Sequence, residues 1–247
     1  MRLSMLVSGS LSCPRQAKNN FVWQGGLAPS RVHLYLFCNA WHMNHQQNTY
    51  EIPTLCGLIL AGGLSRRMGV DKALLRYHGE PQVWWLWREL KKVCGSVYVS
   101  LGADQAGCQS YAGLPLVIDS CASIGPATGL LSAWEQVSEV AWLVVAVDLP
   151  FLDGETLKIL IEGRRTDCLA TAFEHTDGTL EPLCTIWEPS ARDILVGRIE
   201  AGDKSLRTLL EEGPINRLLV PSGGVITSVN SPTDYQDAIK RLRGKSS

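Results

Sequence analysis

Residues 58–72, Leu-Ile-Leu-Ala-Gly-Gly-Leu-Ser-Arg-Arg-Met-Gly-Val-Asp-Lys, decide the fold. They begin inside a near-continuous apolar run, residues 55–61, of the kind a strand buried on both faces requires. Gly62 and Gly63 follow at once. Glycine lets the chain turn sharply and brings backbone N–H groups close to a ligand, and successive N–H groups cradle phosphate oxygens. Arg66, Arg67 and Lys72 put positive charge into the same short loop. Arginine offers a planar fork and lysine a compact point charge, both suited to phosphate. A polyphosphate is therefore the expected partner. Neither Gly-Lys-Ser/Thr nor G-x-G-x-x-G follows the strand, which excludes the two commonest phosphate loops here.

Outward from this loop the chain alternates between two periods. A helix is expected over 82–93, strands over 97–101 and 114–118, a helix over 128–137, and a fully apolar strand over 142–147 that ends in Asp148-Leu149-Pro150. A helix over 155–162 follows, with Asp153 as its N-cap. Such alternation implies an α/β fold: three layers, doubly wound, a mostly parallel sheet with helices on both faces. Ligands of these sheets bind beyond the carboxyl ends of the strands. The chemistry is thus expected just after Ala61, near Ser100, around Asp119 and at Asp148. The second half is less regular. Strands are expected over 169–173, 183–187, 218–220 and 225–229, and helices over 189–199, 205–212 and 233–242.

Residues 1–54 lack any sustained period beyond a short apolar run at 32–37, so they are expected to be an unstructured or mis-annotated extension to a domain spanning 55–247. His42 and His45 have no third ligand in view. Met43 is the expected physiological start. Of the 247 residues 19% are charged and the formal net charge is -1, which excludes broad electrostatic binding of nucleic acid or membrane. No apolar run is long enough to span a bilayer, and the apolar start is broken by Ser8, Gly9 and Ser10. Eight cysteines include no Cys-x-x-Cys pair, so they read as free thiols in a reducing cytoplasm.

The loop resembles the Leu-Ala-Gly-Gly … Arg-Met-Gly … Asp-Lys signature of nucleotidyltransferases, and its Gly-Gly form is similar to the molybdenum cofactor guanylyltransferases. The resemblance continues through IGPATGLLSAW, VAVDLPFL, EPLCTIW, GDKSLRTLLEE and VNSPTDYQDA, covering about residues 55–240. It implies a Rossmann-like nucleotidyltransferase fold and transfer of GMP from GTP to a molybdopterin-type cofactor, with pyrophosphate released and Mg²⁺ as cofactor. Molybdoenzymes are the partners it suggests. By resemblance, Leu60, Ala61, Gly62, Gly63 and Arg67 lie against the nucleotide, Lys72 contacts its phosphates, Asp119 contacts the nucleotide, and Asp148 binds magnesium. Ser100 stands where the family often has Asn. Gly125 to Gly129 would allow close backbone approach or form a simple helix entry. Asn230 falls near the acceptor, or caps the helix that starts beside Pro232.

Asp148 also stands without the resemblance, because a carboxylate at a strand's carboxyl end, facing a basic loop, suits a hard cation. Trp84, Trp85 and Trp87 read as core packing or a subunit contact rather than a pterin platform. Two other functions fit the same residues: a nucleotidyltransferase using CTP or a sugar phosphate, and a non-catalytic nucleotide-binding chaperone for molybdoenzymes. Intact Lys72 and Asp148 argue against the second.

Overall fold

The computed structural model describes residues 52–62, 70–119 and 125–244. The expectations placed on residues 32–37, His42, Met43, His45, Gly63, Arg66 and Arg67 lie outside them. Seven strands form one sheet in the order β3-β2-β1-β4-β6-β5-β7. They are β1 (Leu55–Leu60), β2 (Ser96–Leu101), β3 (Leu116–Ile118), β4 (Ala141–Ala146), β5 (Ala170–Glu174), β6 (Leu180–Trp187) and β7 (Ile215–Leu219). β1 pairs in parallel with both β2 and β4, and β2 with β3. β6 alone runs against its neighbours, antiparallel to β4 and β5, while β5 and β7 are parallel.

The central strands β1 and β4 are built from near-continuous apolar segments. Every residue of β4 is buried, and its side chains alternate between two cores. Leu143 and Val145 face one cluster, and Trp142 and Val144 the other. The first core is closed by α1 (Gln82–Lys91) through Val83, Leu86 and Leu90, and by α3 (Gly154–Glu162) through Leu157 and Leu160. The second is closed by α2 (Pro126–Gln136), α4 (Ala191–Glu200) and α5 (Leu206–Glu212), with Leu130, Trp134, Leu195 and Leu209 inside. The Asp153 carboxylate accepts from the Thr156 N–H at 2.9 Å, so the expected N-cap forms.

Three local differences have physical causes. Residues 225–229 form no strand. Val225, Ile226 and Val229 are buried all the same, packing as loop residues into two cores, so their apolar character reflects burial and not a ladder. β7 begins at Ile215, earlier than the apolar triplet at 218–220 suggested, because it adds to the sheet edge beside β5. β6 starts at Leu180, three residues before the expected 183, and includes Pro182. Proline is admitted there because the β5–β6 pairing skips at that point, in line with proline's confinement to bulges and edges.

Trp84, Trp85 and Trp87 pack partly buried against the first core. The Trp84 indole N–H donates to the Ser110 carbonyl at 3.1 Å, and Trp85 stacks on His78 with ring centroids 3.9 Å apart. They are structural, as expected. Among the described residues all cysteines are free thiols, and burial pushes the Cys94 thiol up to about 12. No helix among the described residues is long and apolar enough to cross a membrane.

Candidate active site

The strand order 3-2-1-4 places a topological switch between β1 and β4, where connections depart to opposite sides and a crevice opens at the carboxyl edge. Lys72 and Asp148 meet there. Asp148 lies two residues beyond β4. Lys72 opens a single 3₁₀ turn, Lys72–Leu74. Its Nζ lies 3.5 Å from Asp148 Oδ2 and donates to Asn230 Oδ1 at 2.8 Å. Both charged side chains are about one-fifth exposed, at 20% and 19%. Burial raises the Asp148 carboxyl above the usual range, and the Lys72 ammonium opposes that rise.

The segment after β1 explains how the lysine is held. Asp71 caps the 3₁₀ turn, its Oδ1 accepting from the Ala73 N–H at 2.9 Å. Its other oxygen accepts from the Tyr111 hydroxyl at 2.5 Å and from Gln105 Nε2 at 3.3 Å. Tyr111 is 1% exposed and sits in the core. The residue directly before Lys72 is thus tied to the link between β2 and β3. Sequence reasoning passed over Tyr111 and Gln105. A tyrosine in a polar connection carries no periodic signal, and its partner lies forty positions away.

Asn230 arrives from the far end of the chain. Val229 N–H donates to the Asp148 carbonyl at 2.9 Å, which pins the residue before Asn230 to the end of β4. Ser231 and Asp234 take over the capping of α6 (Pro232–Gly244). Asp234 Oδ2 accepts from the Asn230 and Ser231 N–H groups, and Ser231 Oγ from the Asp234 N–H. The Asn230 side chain is thereby left for Lys72. α6 docks through Tyr235, Ala238, Ile239 and Leu242 against Tyr77 and Phe151. Those two residues flank the Lys72 turn and the Asp148 strand end.

A second group lies on the β1–β3 side. Asp119 follows β3, and its Oδ1 accepts from Ser100 Oγ at 3.1 Å. Burial raises its carboxyl and the Ser100 hydroxyl lowers it. Ala61 N–H donates to the Ser100 carbonyl at 3.0 Å, holding the chain just beyond β1 against β2. A Cβ on Gly62 would stand 3.2 Å from Gly102 N and 3.7 Å from Asp119 Oδ2. On Gly129 in α2 it would come within 2.4 Å of Ser100 Oγ and 2.8 Å of Leu60 Cδ2. Gly129 therefore serves close helix–strand packing at the site, a role between the two readings that the sequence left open. Of the residues singled out from the sequence, Leu60, Ala61, Gly62, Ser100 and Asp119 gather on this side, and Lys72, Asp148 and Asn230 at the switch.

The fit of a divalent ion follows from the donor set. Among the described residues no group of three or more His, Cys, Asp or Glu could cage a metal. A single carboxylate at a strand end, beside a lysine, suits a hard ion that takes most of its ligands from substrate phosphates and water.

An open α/β sheet with a glycine-flanked strand end, a lysine and a carboxylate at the switch point is the architecture of a nucleotidyltransferase. The MobA-like NTP transferase domain matches residues 57–218, and the chain belongs to that family. It is 34% identical to the molybdenum cofactor biosynthesis bifunctional protein of Synechocystis over 73% of this chain, and spans 52% of that longer relative. It is 31% identical to the molybdenum cofactor guanylyltransferase of Cereibacter sphaeroides over 76% of this chain and 97% of the relative. The molybdopterin-guanine dinucleotide biosynthesis protein A of Archaeoglobus fulgidus shares the fold, with a TM-score of 0.66 at 22% identity, covering 76% of this chain and 99% of that one.

Proposed function

We propose that this nucleotidyltransferase moves GMP from GTP to the phosphate of a molybdopterin-type molybdenum cofactor and releases pyrophosphate. The observation that carries the reading is the meeting of Lys72, Asp148 and Asn230 at the carboxyl edge between β1 and β4. The likeness to molybdenum cofactor guanylyltransferases over nearly their whole length supports the choice of GTP and acceptor.

Phosphoryl chemistry of this kind depends on positioning and charge neutralisation more than on covalent help. Leu60, Ala61, Gly62 and Gly63 would hold the nucleotide by close backbone approach, with Arg67 adding charge, and Asp119 would contact the nucleoside. Lys72 neutralises charge that grows on the departing pyrophosphate. Asn230 and Asp148 hold that ammonium in place, and Asn230 borders the acceptor. Asp148 would hold a Mg²⁺ ion, which when bound screens the triphosphate charge and polarises the α-phosphorus. The acceptor is already an anion, so no general base is required. The proposed setting is the cytoplasm, with molybdoenzymes receiving the product.

The test is turnover of labelled GTP with molybdopterin and Mg²⁺, beside CTP and a sugar-phosphate acceptor. Guanylylated cofactor and pyrophosphate are expected from GTP alone. Preference for CTP, or for the sugar phosphate, would replace the substrates. GTP binding without any transfer would leave the chaperone reading.

A further inference from the structure

β6 contains a break that the proposed mechanism does not use. Ala172 of β5 faces Thr185, but the next residue, Phe173, faces Glu181, so Pro182, Leu183 and Cys184 are extra on the β6 side. Bulges re-aim side chains and often lie beside active sites. The loop-out is stitched by Glu181 itself: Oε1 accepts from the Leu183 N–H at 2.9 Å, and its carbonyl accepts from the Thr185 hydroxyl. The carboxylate is 14% exposed. Its Oε2 stands 3.9 Å from His175 Nε2, too far for a hydrogen bond. Among the described residues that oxygen accepts from no donor.

The antiparallel register gives Glu181 its place. Val145 of β4 faces Cys184; Asp148 and Glu181 each lie three residues from that pair toward the carboxyl end of β4, Asp148 beyond its strand and Glu181 within the first two residues of β6. Burial raises the Glu181 carboxyl, the Leu183 N–H and His175 oppose that rise, and the Asp148 charge adds to it while Arg207 subtracts. β6 borders β4 on the side away from β1, β2 and β3. Gly62, Ser100 and Asp119 occupy that far side, and Lys72 the switch itself. A nucleotide laid along them leaves the β6 side for the second substrate.

We infer that Glu181, with His175 beside it, forms the acceptor subsite and binds the 2-aminopyrimidinone edge of the pterin. That edge presents a ring N–H and an exocyclic amine, two parallel donors. A carboxylate is acceptor-only with about four lone-pair sites, so it can take both while Oε1 keeps Leu183. A half-buried acceptor without a donor is the complement of such an edge. Guanine carries the same edge, but the nucleoside groups gather on the opposite side of Asp148. The inference rests on the pterin acceptor proposed above.

Glu181→Gln tests it. The amide keeps an oxygen for Leu183 and turns the free acceptor into a donor that opposes the pterin edge. With GTP and Mg²⁺ saturating, KM for molybdopterin should rise by about 10-fold or more, the usual scale for losing a hydrogen bond to a charged group. The affinity for GTP, measured by calorimetry without acceptor, should stay as in the parent. Glu181→Asp, which keeps the charge and withdraws it by one methylene, should show a smaller rise. Tetrahydropterin should inhibit the parent competitively against molybdopterin and inhibit Glu181→Gln more weakly. An unchanged acceptor KM in both variants overturns the assignment. So does a loss confined to GTP affinity, which would give the carboxylate to guanine, or a raised Mg²⁺ requirement, which would give it to the metal. A parent protein that guanylylates no molybdopterin overturns the functional reading itself, and is told apart by being seen before any variant is made.

Discussion

β1 and β4 lie side by side in parallel, paired from Leu55 with Ala141 to Leu60 with Ala146, and both end at the carboxyl edge on groups that the sequence already singles out. Across β4 the chain behaves differently. β6 turns back against its neighbours, skips three residues beside Phe173, and starts at the edge where β4 ends. The parallel half brings groups to the site by where strands stop. The mixed half brings Glu181 there by where a strand starts and bulges. Parallel strands must be buried on both faces and are written as plain apolar runs. A bulge exists only against a partner strand, and no local pattern records it.

The two halves can be set against each other by substitution, beginning with the largest expected effect. Asp148→Asn should abolish transfer at ordinary Mg²⁺ concentrations. The amide keeps the size and one oxygen but not the charge that a hard cation demands. GTP binding without metal should be little affected. An unchanged Mg²⁺ dependence would move the metal to another carboxylate, Asp119 first.

Arg164→Ala attacks the junction between the halves. Its guanidinium makes a paired contact with Glu188, at 2.6 and 2.9 Å, and donates to the Pro53 carbonyl at 2.9 Å. This joins the segment before β1 to the end of β6. Glu188 is only 1% exposed, so removing its partner strands a buried charge and should cost about 3–5 kcal/mol of stability. Denaturant unfolding checks this, and a loss under about 1 kcal/mol would show that the ion pair does not hold the halves together.

Lys72→Ala should lower turnover by about 2–4 kcal/mol of transition-state stabilisation, by comparison with the loss of one oxyanion donor. Its thermal midpoint should fall less than that of Arg164→Ala, because the Asp148 carboxylate it leaves behind is 19% exposed where Glu188 is 1% exposed. Near-normal turnover at saturating GTP would remove Lys72 from the mechanism.

Tyr111→Phe should act more weakly on the same step. It deletes one hydrogen bond to the Asp71 carboxylate, worth about 1.5–3 kcal/mol, and part of that is expected in kcat through a looser Lys72 turn. In a Lys72→Ala background the kcat effect should vanish. An equal effect in both backgrounds would mean that Tyr111 supports the fold alone.

Ser100→Ala is the mildest. The Ser100 hydroxyl favours the charged form of Asp119, against burial that raises its pKa. Without the hydroxyl the pKa rises further, so Asp119 takes up its proton at a higher pH as acidity increases. The acid limb of GTP affinity should move to higher pH, with affinity near neutral pH changed least. A limb that stays in place would separate Asp119 from nucleotide binding.

Much of this molecule was legible before folding. The apolar runs at residues 55–61 and 142–147 announced β1 and β4, because burial on both faces leaves no room for polar side chains. Asp153 announced its helix, because a cap is a contact within a few residues. Gly62, Lys72 and Asp148 were legible as candidates because strand ends, glycines and charges stand next to one another in the chain. The tertiary structure alone decided the rest. It brought Asn230 to Lys72 across 158 positions, tied Tyr111 to Asp71 across 40, left residues 225–229 as buried loop, and reversed β6 so that Glu181 reaches the site. The Lys72–Asn230 and Tyr111–Asp71 contacts and the pairing of β6 with β4 join segments far apart in sequence. Local propensity fixes what a segment can become, but which segments meet is settled by the joint packing of two cores on one sheet.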